Sequence, residues 1–389
     1  MIVKKFLIVF MVLAWVVSCS SKNTTRNAPS KHSRETAQSK PAHHMQDSES
    51  LTRTIRSAKQ KFTKLLQTHK KNVARRWGKN EVKMSSSHIF VKYTQNYKSR
   101  AIVKFDPGLI SIETLDKSNS TQSLKDTIVA TLLTPSDPRS IEMFSAKTNR
   151  LSGRPFFYGM IKDQRKQNIN TKKSALKYAS YLVKNRLKVR SISINGSKST
   201  VYYVNIRMIN DHQHVRARRY TQYINKYASR YRVNRSLVYA IIETESNFNP
   251  YAISSAPAYG LMQIVPRSAG RDAYKKIYGT NKTPSSAFLL NDKNNIQMGI
   301  AYINILSYRY LAKIRNPVSR EYCLIAAYNT GIGNVFSIFS KKQSQAINQI
   351  NQLSSLHLYQ YLRKNLRYKE ARDYLYKVVK EKPHYANFQ

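Results

Sequence analysis

The 389-residue chain is poor in acidic residues and in cysteine. Asp and Glu together number 20 against 67 Lys and Arg, so a carboxylate in an apolar setting is conspicuous. The two cysteines cannot build a disulfide framework if Cys19 is modified. Cys323 lies in the apolar run EYCLIAAYN and is predicted to be a small buried side chain. No cluster of metal-ligating residues stands out, and we expect neither a metal nor a cofactor.

Because acidic residues are few, the chain has a formal net charge of +47, which suggests a polyanionic partner as one hypothesis. The basic residues run through nearly every polar segment, however, and form no RNP, zinc-finger or zipper pattern. We interpret the charge as a general enrichment in lysine over solvated faces. Together with the N-terminal sequence, this interpretation argues against a nucleic-acid partner.

The N-terminal residues 1–19, MIVKKFLIVFMVLAWVVSC, combine two lysines with a 12-residue apolar stretch, residues 6–17. This stretch is too short to span a bilayer comfortably and suits a secretory signal. The closing VVSC resembles the bacterial lipobox, which implies that Cys19 carries lipid and anchors the chain to a membrane. Ser20 and Ser21 lack the aspartate that usually retains lipoproteins at the inner membrane. The resemblance implies an outer-membrane lipoprotein facing the periplasm; the alternative is an ordinary cleaved signal or an anchor helix.

Composition then divides the rest of the chain. Residues 20–50 contain almost no large apolar side chains and predict a disordered tether. Residues 51–210 show helical and strand patterns, which predict an N-terminal mixed α/β domain. Residues 211–389 show helical patterns without a clear strand, which predict an all-α domain. The fold class is therefore α+β.

Local signals place several elements within these domains. A first helix is expected to end at Trp77, and Asp106-Pro107-Gly108 to turn the chain between two strands. Asn195-Gly196 predicts the two-residue turn of a hairpin. The polar segment 211–220, DHQHVRARRY, predicts a loop at the domain boundary.

The segment NRSLVYAIIETES places a carboxylate on the apolar face of a predicted helix. Glu245 lies seven residues beyond Val238 and four beyond Ile241, which is the spacing of one helical face. Glu243, two residues earlier, is predicted to point towards the polar side. Desolvation raises the pKa of a carboxyl group, and a raised pKa is what a general acid needs near neutral pH. The alternative is a structural glutamate turned out to water at a fraying helix end.

The surroundings of this segment are free of positive charge. Residues 236–266 contain no Lys or Arg, although these make up 67 of the 389 positions. A nearby cation would stabilise the carboxylate and lower its pKa. Residues 321–340 are also free of Lys and Arg, and so are residues 343–362, which show no evident chemistry.

Three short motifs follow one another in the all-α region: Glu245-Ser246, then Gly260-Leu261-Met262-Gln263, then Ala327-Tyr328-Asn329. They resemble the core motifs of the lytic murein transglycosylases with a lysozyme-like fold. The segments FVKYTQNYKSRAIVKFDPGLISIETL, GRPFFYG and RDYLYKV further resemble the membrane-bound lytic murein transglycosylase C family, including its own N-terminal domain. The resemblance covers roughly residues 60–380.

By that resemblance Glu245 is the catalytic acid and base. The positions that match the saccharide groove are Ser254, Met262, Gln263, Tyr328 and Asn329, and those that match a C-terminal element closing the groove are Glu370 and Tyr374. Thr330 stands where the family usually has glycine, and a β-branched residue tolerates a positive φ poorly. Tyr259 stands where a small aliphatic residue is usual. Both departures concern substrate contacts and leave the glutamate in place.

The resemblance also implies a mechanism that needs only one carboxylate. The C6 hydroxyl of N-acetylmuramic acid (MurNAc) attacks its own C1 once the bond to N-acetylglucosamine (GlcNAc) is protonated, giving 1,6-anhydro-MurNAc. The partner would be the glycan strands of peptidoglycan; protein partners are not indicated. Two alternatives remain, a hydrolytic muramidase with a second carboxylate and a non-catalytic peptidoglycan-binding scaffold.

Overall fold

The computed structural model describes residues 42–147, 151 and 153–388. The signal-like segment, Cys19 and residues 20–41 of the predicted tether lie outside this range. Helix α1 spans Ala42–Trp77 and ends where the sequence predicts. It includes residues 42–50, so the predicted disorder of that part of the tether is wrong. These residues, like the rest of α1, contain neither proline nor glycine, the two residues that most disfavour a helix.

Residues from Gln67 onward form one compact unit, and every contact described below lies within it. Its first part, here called the sheet domain, covers residues 67–207. Five antiparallel strands form one sheet in the order β1-β2-β3-β5-β4. The strands are β1 Ile89–Thr94, β2 Ser99–Lys104, β3 Leu109–Thr114, β4 Lys188–Ile194 and β5 Ser197–Arg207. Two helices, α2 Ser120–Leu132 and α3 Lys172–Arg186, connect β3 to β4.

The register of the sheet follows from its turns. Asn195 and Gly196 both have positive φ and form the hairpin turn that the sequence predicts. Asp106-Pro107-Gly108 lies between β2 and β3, as predicted. The sequence indicated two strands before Thr114, but there are three. In the additional turn Gln95, Asn96 and Tyr97 have positive φ, and this turn contains no glycine or proline from which it could be predicted.

The second part, here called the helical domain, covers residues 211–388. Its helices are α4 His212–Arg218, α5 Thr221–Tyr231, α6 Arg235–Ser246, α7 Arg271–Tyr278, α8 Ser286–Leu289, α9 Asp292–Ile305, α10 Pro317–Thr330, α11 Ile332–Ser337, α12 Gln343–Gln352, α13 Ser355–Asn365 and α14 Lys369–Glu381. Its described residues contain only isolated β-bridges and no strand. The prediction of a mixed domain followed by a helical one is confirmed.

The predicted boundary loop at residues 211–220 is wrong, because α4 occupies most of it. The charged composition of this segment suggested exposed side chains, but one of its arginines is buried. The guanidinium of Arg216 is fully buried and donates to the backbone oxygen of Asn247 at 3.0 Å and to its side-chain oxygen at 2.7 Å. A helix satisfies the backbone of this segment while its arginine is held by acceptors distant in sequence.

Helix α6 is the centre of the helical domain. Its residues from Leu237 to Ile242 are all buried, so the helix is enclosed on every side. Cys323 of α10 is buried as expected. No helix in the part of the chain that the structure describes is long and apolar enough to cross a membrane.

Candidate active site

Helix α6 positions Glu245 in its last turn. Asn234 caps the start of the helix, because its side chain accepts a hydrogen bond from the backbone N–H of Leu237 at 3.1 Å. It ends at Asn247, which adopts a left-handed conformation with φ of 48°. Pro250 follows three residues later and cannot continue the helix. Glu245 is half-buried at this helix end.

The electrostatics of Glu245 suit an acid. Burial raises its pKa from 4.5 to about 8, and the charge of Glu370 acts in the same direction. The Tyr374 hydroxyl donates to Glu245 Oε1 at 2.8 Å, and this bond, like the charge of His88, opposes the rise. Because burial outweighs these effects, the carboxyl group holds its proton at neutral pH.

Two tyrosines from different helices interact with the carboxyl group, Tyr374 through a hydrogen bond and Tyr328 electrostatically. Tyr374 of α14 is buried, and Tyr328 of α10 is half-buried. Burial and the charge of Glu245 raise the pKa of both phenols well above the usual value. Both therefore stay neutral hydrogen-bond donors. The Tyr328 hydroxyl donates to the backbone oxygen of Met262 at 2.9 Å, which joins α10 to the GLMQ segment.

The GLMQ segment is a tight turn held from two sides. Ser246, next to Glu245, donates its hydroxyl to the backbone oxygen of Leu261 at 2.8 Å. From α9, the Asn295 side chain accepts from the Met262 backbone at 2.8 Å and donates to the Tyr259 backbone oxygen at 2.7 Å. Sequence reasoning missed Asn295, because only the folded packing of α9 brings it to the turn.

Gly260 is required in this turn. Its φ is +72°, and a Cβ at this position would lie 2.5 Å from Asn295 Nδ2 and 2.8 Å from the Leu289 backbone oxygen. Met262 packs closely against α9 in the same way, since a Cβ on Gly299 would lie 2.2 Å from Met262 Sδ. The backbone can approach α9 so closely only because both positions lack a side chain.

Ser254 and Gln263 shape the loop that joins α6 to this turn. Ser254 Oγ donates to the Ala256 backbone oxygen and accepts from the Ala258 N–H at 3.1 Å. Gln263 donates its amide to the backbone oxygens of Ala252 and Gly260, at 3.2 and 2.8 Å. Both of these predicted groove residues therefore support the loop, and neither hydrogen-bonds to Glu245.

The remaining predicted residues differ in their relation to Glu245. Asn329 follows Tyr328 on α10 and is half-buried. Glu370 is exposed in the first turn of α14, one turn before Tyr374, and acts on Glu245 through its charge. Of the predicted residues, Tyr374 therefore hydrogen-bonds to the carboxyl group, while Tyr328 and Glu370 interact with it electrostatically.

The structure shows where the two residues that depart from the family pattern, Thr330 and Tyr259, are placed. Thr330 is the last residue of α10, and its backbone oxygen accepts from the Asn334 amide at 2.6 Å. The positive φ of +86° falls on Gly331 instead, so Thr330 needs no strained conformation. Tyr259 is buried, and only 8% of its surface is exposed.

The position predicted for Glu243 is wrong. This side chain is half-buried rather than turned to solvent, because the C-terminal segment around Tyr385 packs on that side of α6. Gln213 donates to Glu243 Oε1 at 2.5 Å, while Oε2 has no hydrogen-bond partner among the described residues. Burial raises the pKa of Glu243 as well. A raised pKa alone therefore does not distinguish the two glutamates, and only Glu245 lies beside Tyr374 and Glu370.

Residues of the sheet domain also reach the end of α6. The imidazole of His88 lies between the carboxylate of Asp106 and the backbone oxygen of Thr244. The sequence places His88 before a strand and Asp106 in a turn. It contains no signal that joins them to the end of α6, where their partners lie 156 and 141 positions further along the chain. Among residues 42–147, 151 and 153–388, no group of three His, Cys, Asp or Glu side chains could hold a metal ion.

Comparisons with known proteins show which family the chain belongs to. Residues 55–219 match the family model "Membrane-bound lytic murein transglycosylase C, N-terminal domain", and residues 222–351 match "Transglycosylase SLT domain". A membrane-bound lytic murein transglycosylase C from Haemophilus ducreyi is 43% identical over 313 residues, covering 80% of this chain and 83% of the relative. The protein of the same name from Mannheimia succiniciproducens is 42% identical over 314 residues, covering 81% and 86%.

Two solved structures also match part of the chain. A lytic transglycosylase Slt from Pseudomonas aeruginosa is 23% identical with a TM-score of 0.36, covering 45% of this chain and 25% of the other. A 70 kDa soluble lytic transglycosylase from Escherichia coli is 24% identical with a TM-score of 0.33, covering 43% and 24%.

A lysozyme-like helical domain of the transglycosylase SLT type, in which the Tyr374 hydroxyl donates to the Glu245 carboxyl group, thus gives the class of the protein. Its N-terminal domain then narrows the class. The chain belongs to the membrane-bound lytic murein transglycosylase C family.

Proposed function

We propose that this protein is a lytic transglycosylase that cleaves the MurNAc–GlcNAc bond of peptidoglycan and forms 1,6-anhydro-MurNAc. The observation that carries the proposal is the hydrogen bond of 2.8 Å from the Tyr374 hydroxyl to the Glu245 carboxyl group, whose pKa burial raises to about 8. Its relatives are named lytic murein transglycosylases, which supports the same substrate. The biological role that follows is the remodelling and turnover of the cell wall.

The reaction has two proton transfers at one carboxyl group. Glu245 first gives its proton to the glycosidic oxygen as the bond from MurNAc C1 to that oxygen breaks. The resulting carboxylate, which Tyr374 stabilises by donating its hydroxyl hydrogen, then accepts the proton of the C6 hydroxyl. The C6 oxygen bonds to C1 and closes the anhydro ring, so no water is consumed.

The groove residues would orient the sugar for this attack. Asn329 and Glu370 present polar groups next to the two tyrosines, while Ser254, Met262 and Gln263 hold the loop that forms one wall. We expect Asn329 to hydrogen-bond an N-acetyl group. An Asn329→Ala change should therefore raise KM for soluble glycan strands more than it lowers kcat.

Hydrolysis is the second candidate, because Glu370 is a second carboxylate whose charge reaches Glu245. A hydrolase needs such a group to activate water. Under the hydrolytic reading, Glu370→Gln abolishes release of products with reducing ends. Under the intramolecular reading, the same variant keeps forming anhydro ends. A scaffold function predicts that the wild-type chain binds sacculi without releasing any product.

We further propose that Cys19 carries the lipid that anchors the chain to the outer membrane, with the enzyme facing the periplasm. The VVSC sequence, the serines that follow it and the membrane-bound naming of the relatives support this proposal. Radiolabelled palmitate should enter the wild-type chain and not a Cys19→Ser variant. Recovery of the labelled protein with inner membranes would contradict the outer-membrane assignment.

A further inference from the structure

We propose that His88 and Asp106 of the sheet domain form a positioning pair for Glu245, so that this domain is a working part of the catalytic site. The inference rests on the proposed function of Glu245. It concerns residues that belong to none of the three sequence motifs and that come from another domain.

The first observation is how the end of α6 is satisfied. The last carbonyl groups of a helix have no partner within the helix. Thr244 immediately precedes Glu245, and its backbone oxygen lies 3.0 Å from His88 Nε2. The imidazole therefore holds the peptide group from which the Glu245 backbone continues.

The second observation is that Asp106 holds two groups at once. Its Oδ1 lies 2.7 Å from His88 Nδ1 and 2.7 Å from Asn247 Nδ2. Asn247 is the left-handed residue that ends α6. One carboxylate of the turn between β2 and β3 thus fixes both the imidazole and the cap of the catalytic helix.

The turn that follows Glu245 is strained and is held by several bonds. Asn247 and Phe248 both have positive φ, at 48° and 56°, which is uncommon for residues with side chains. Arg216 holds both oxygens of Asn247, and Asn249 donates its amide to the Ser87 backbone oxygen at 2.9 Å. Such strain persists where the surroundings over-determine it, and it concentrates at functional sites.

The chemistry of its partners makes His88 a cation. An ionised carboxylate and a carbonyl oxygen can only accept, so both ring nitrogens must carry hydrogen to satisfy both bonds. Although burial opposes the charge, Asp106 and Thr244 raise the pKa of His88, and Lys377 of α14 counteracts them in part. A cation at a helix C-terminus is favoured by the helix dipole. From this position its charge favours the ionised form of Glu245.

The packing of the sheet domain against the helical domain does not depend on the His88–Asp106 pair alone. Tyr251 donates its hydroxyl to the Pro135 backbone oxygen, and its ring stacks on Phe90 at 4.8 Å between centroids. Arg219 donates to the backbone oxygens of Phe156 and Tyr158 at 2.6 and 2.7 Å. These contacts join the same two domains elsewhere and would remain after loss of His88.

The test uses the soluble chain, residues 20–389, with His88→Ala, His88→Gln and the control His214→Gln. His214 forms a similar but exposed pair with Asp211 and leaves the end of α6 untouched. For each variant we would measure the turnover of soluble glycan strands and the ¹³C titration of the Glu245 carboxyl group. The Glu245 resonance is the one that is missing from the spectrum of Glu245→Gln. The titration does not depend on activity, so it distinguishes failure of this inference from failure of the proposed function.

We expect His88→Ala to lower kcat by about ten- to a hundredfold with little change in KM, because small misplacements of a catalytic group are costly. The Glu245 carboxyl should titrate at higher pH by roughly half a unit to one unit, since a neighbouring cation is lost. His88→Gln restores a hydrogen-bond donor without charge, so it should recover part of kcat while the Glu245 carboxyl still titrates at the higher pH seen in His88→Ala. A Glu245 titration that is the same in His88→Ala as in His214→Gln would overturn the inference.

Discussion

The hydrogen bond from Tyr374 to Glu245 allows a prediction with a defined sign. A hydroxyl that donates to a carboxylate stabilises the ionised form and lowers the pKa, and here burial still leaves that pKa at about 8. Tyr374→Phe removes only this donor. A hydrogen bond to a charged group contributes about 1.5–3 kcal/mol, which corresponds to about one to two pKa units. The pKa of Glu245 should therefore rise further.

The first step of the proposed reaction needs protonated Glu245, so the rate falls as pH rises through its pKa. In Tyr374→Phe this alkaline limb should move to higher pH by about one unit or more. The plateau rate should also fall, since the carboxylate formed in the first step loses its donor. The assay is the pH dependence of anhydro-product release from soluble glycan strands.

Tyr376→Phe provides a matched control on the same helix. The Tyr376 ring is 48% exposed and packs under the guanidinium of Arg363, a contact that phenylalanine keeps. Its pH profile should equal that of the wild type. An alkaline limb in Tyr374→Phe that stays in place, or that moves to lower pH, would refute the assignment of this limb to Glu245.

Three further predictions follow from the structure. Since the pKa of Glu245 is 4.5 in the unfolded chain and about 8 in the fold, folding stability falls as pH rises between these values, by at most about 5 kcal/mol. Glu245→Gln should therefore raise the midpoint of urea unfolding at pH 8 and change it little at pH 4.5; an equal gain at both would contradict the account. Gly260→Ala forces a positive φ and a clash with Asn295, so it should lower the free energy of unfolding by about 1–3 kcal/mol, measured by urea titration, and reduce activity. Binding of the basic chain to purified sacculi should weaken between low and high NaCl, as pelleting assays would measure, because exposed charges are screened.

Local sequence was sufficient where a short segment determines its own structure. Asn195-Gly196 forms the hairpin turn because both residues accept positive φ. Asn234 caps α6 because its side chain reaches the Leu237 N–H without help from the rest of the chain. The prediction that Glu245 lies on the apolar face of a helix followed from local periodicity in the same way.

Other features depend on packing that no local pattern contains. Glu243 is half-buried because the C-terminal segment with Tyr385 covers its side of α6, so a two-faced helix was the wrong assumption. Arg216 lies in a charged segment that suggests an exposed arginine, yet it is buried, because Asn247 accepts hydrogen bonds from its guanidinium. His88 reaches Thr244 across a domain boundary. In each case the partner lies far away in sequence. Local sequence does not show that partner, and side chains of these types most often lie on the surface.

The most direct test of the central claim is mass spectrometry of the muropeptides that residues 20–389 release from purified sacculi, beside Glu245→Gln and Glu243→Gln. We predict anhydro ends, about 18 Da lighter than reducing ends because no water is added. They should disappear in Glu245→Gln and persist in Glu243→Gln, which keeps Glu245 and Tyr374 in place. Reducing ends from the wild-type chain, or anhydro ends that survive in Glu245→Gln, would contradict the proposed mechanism.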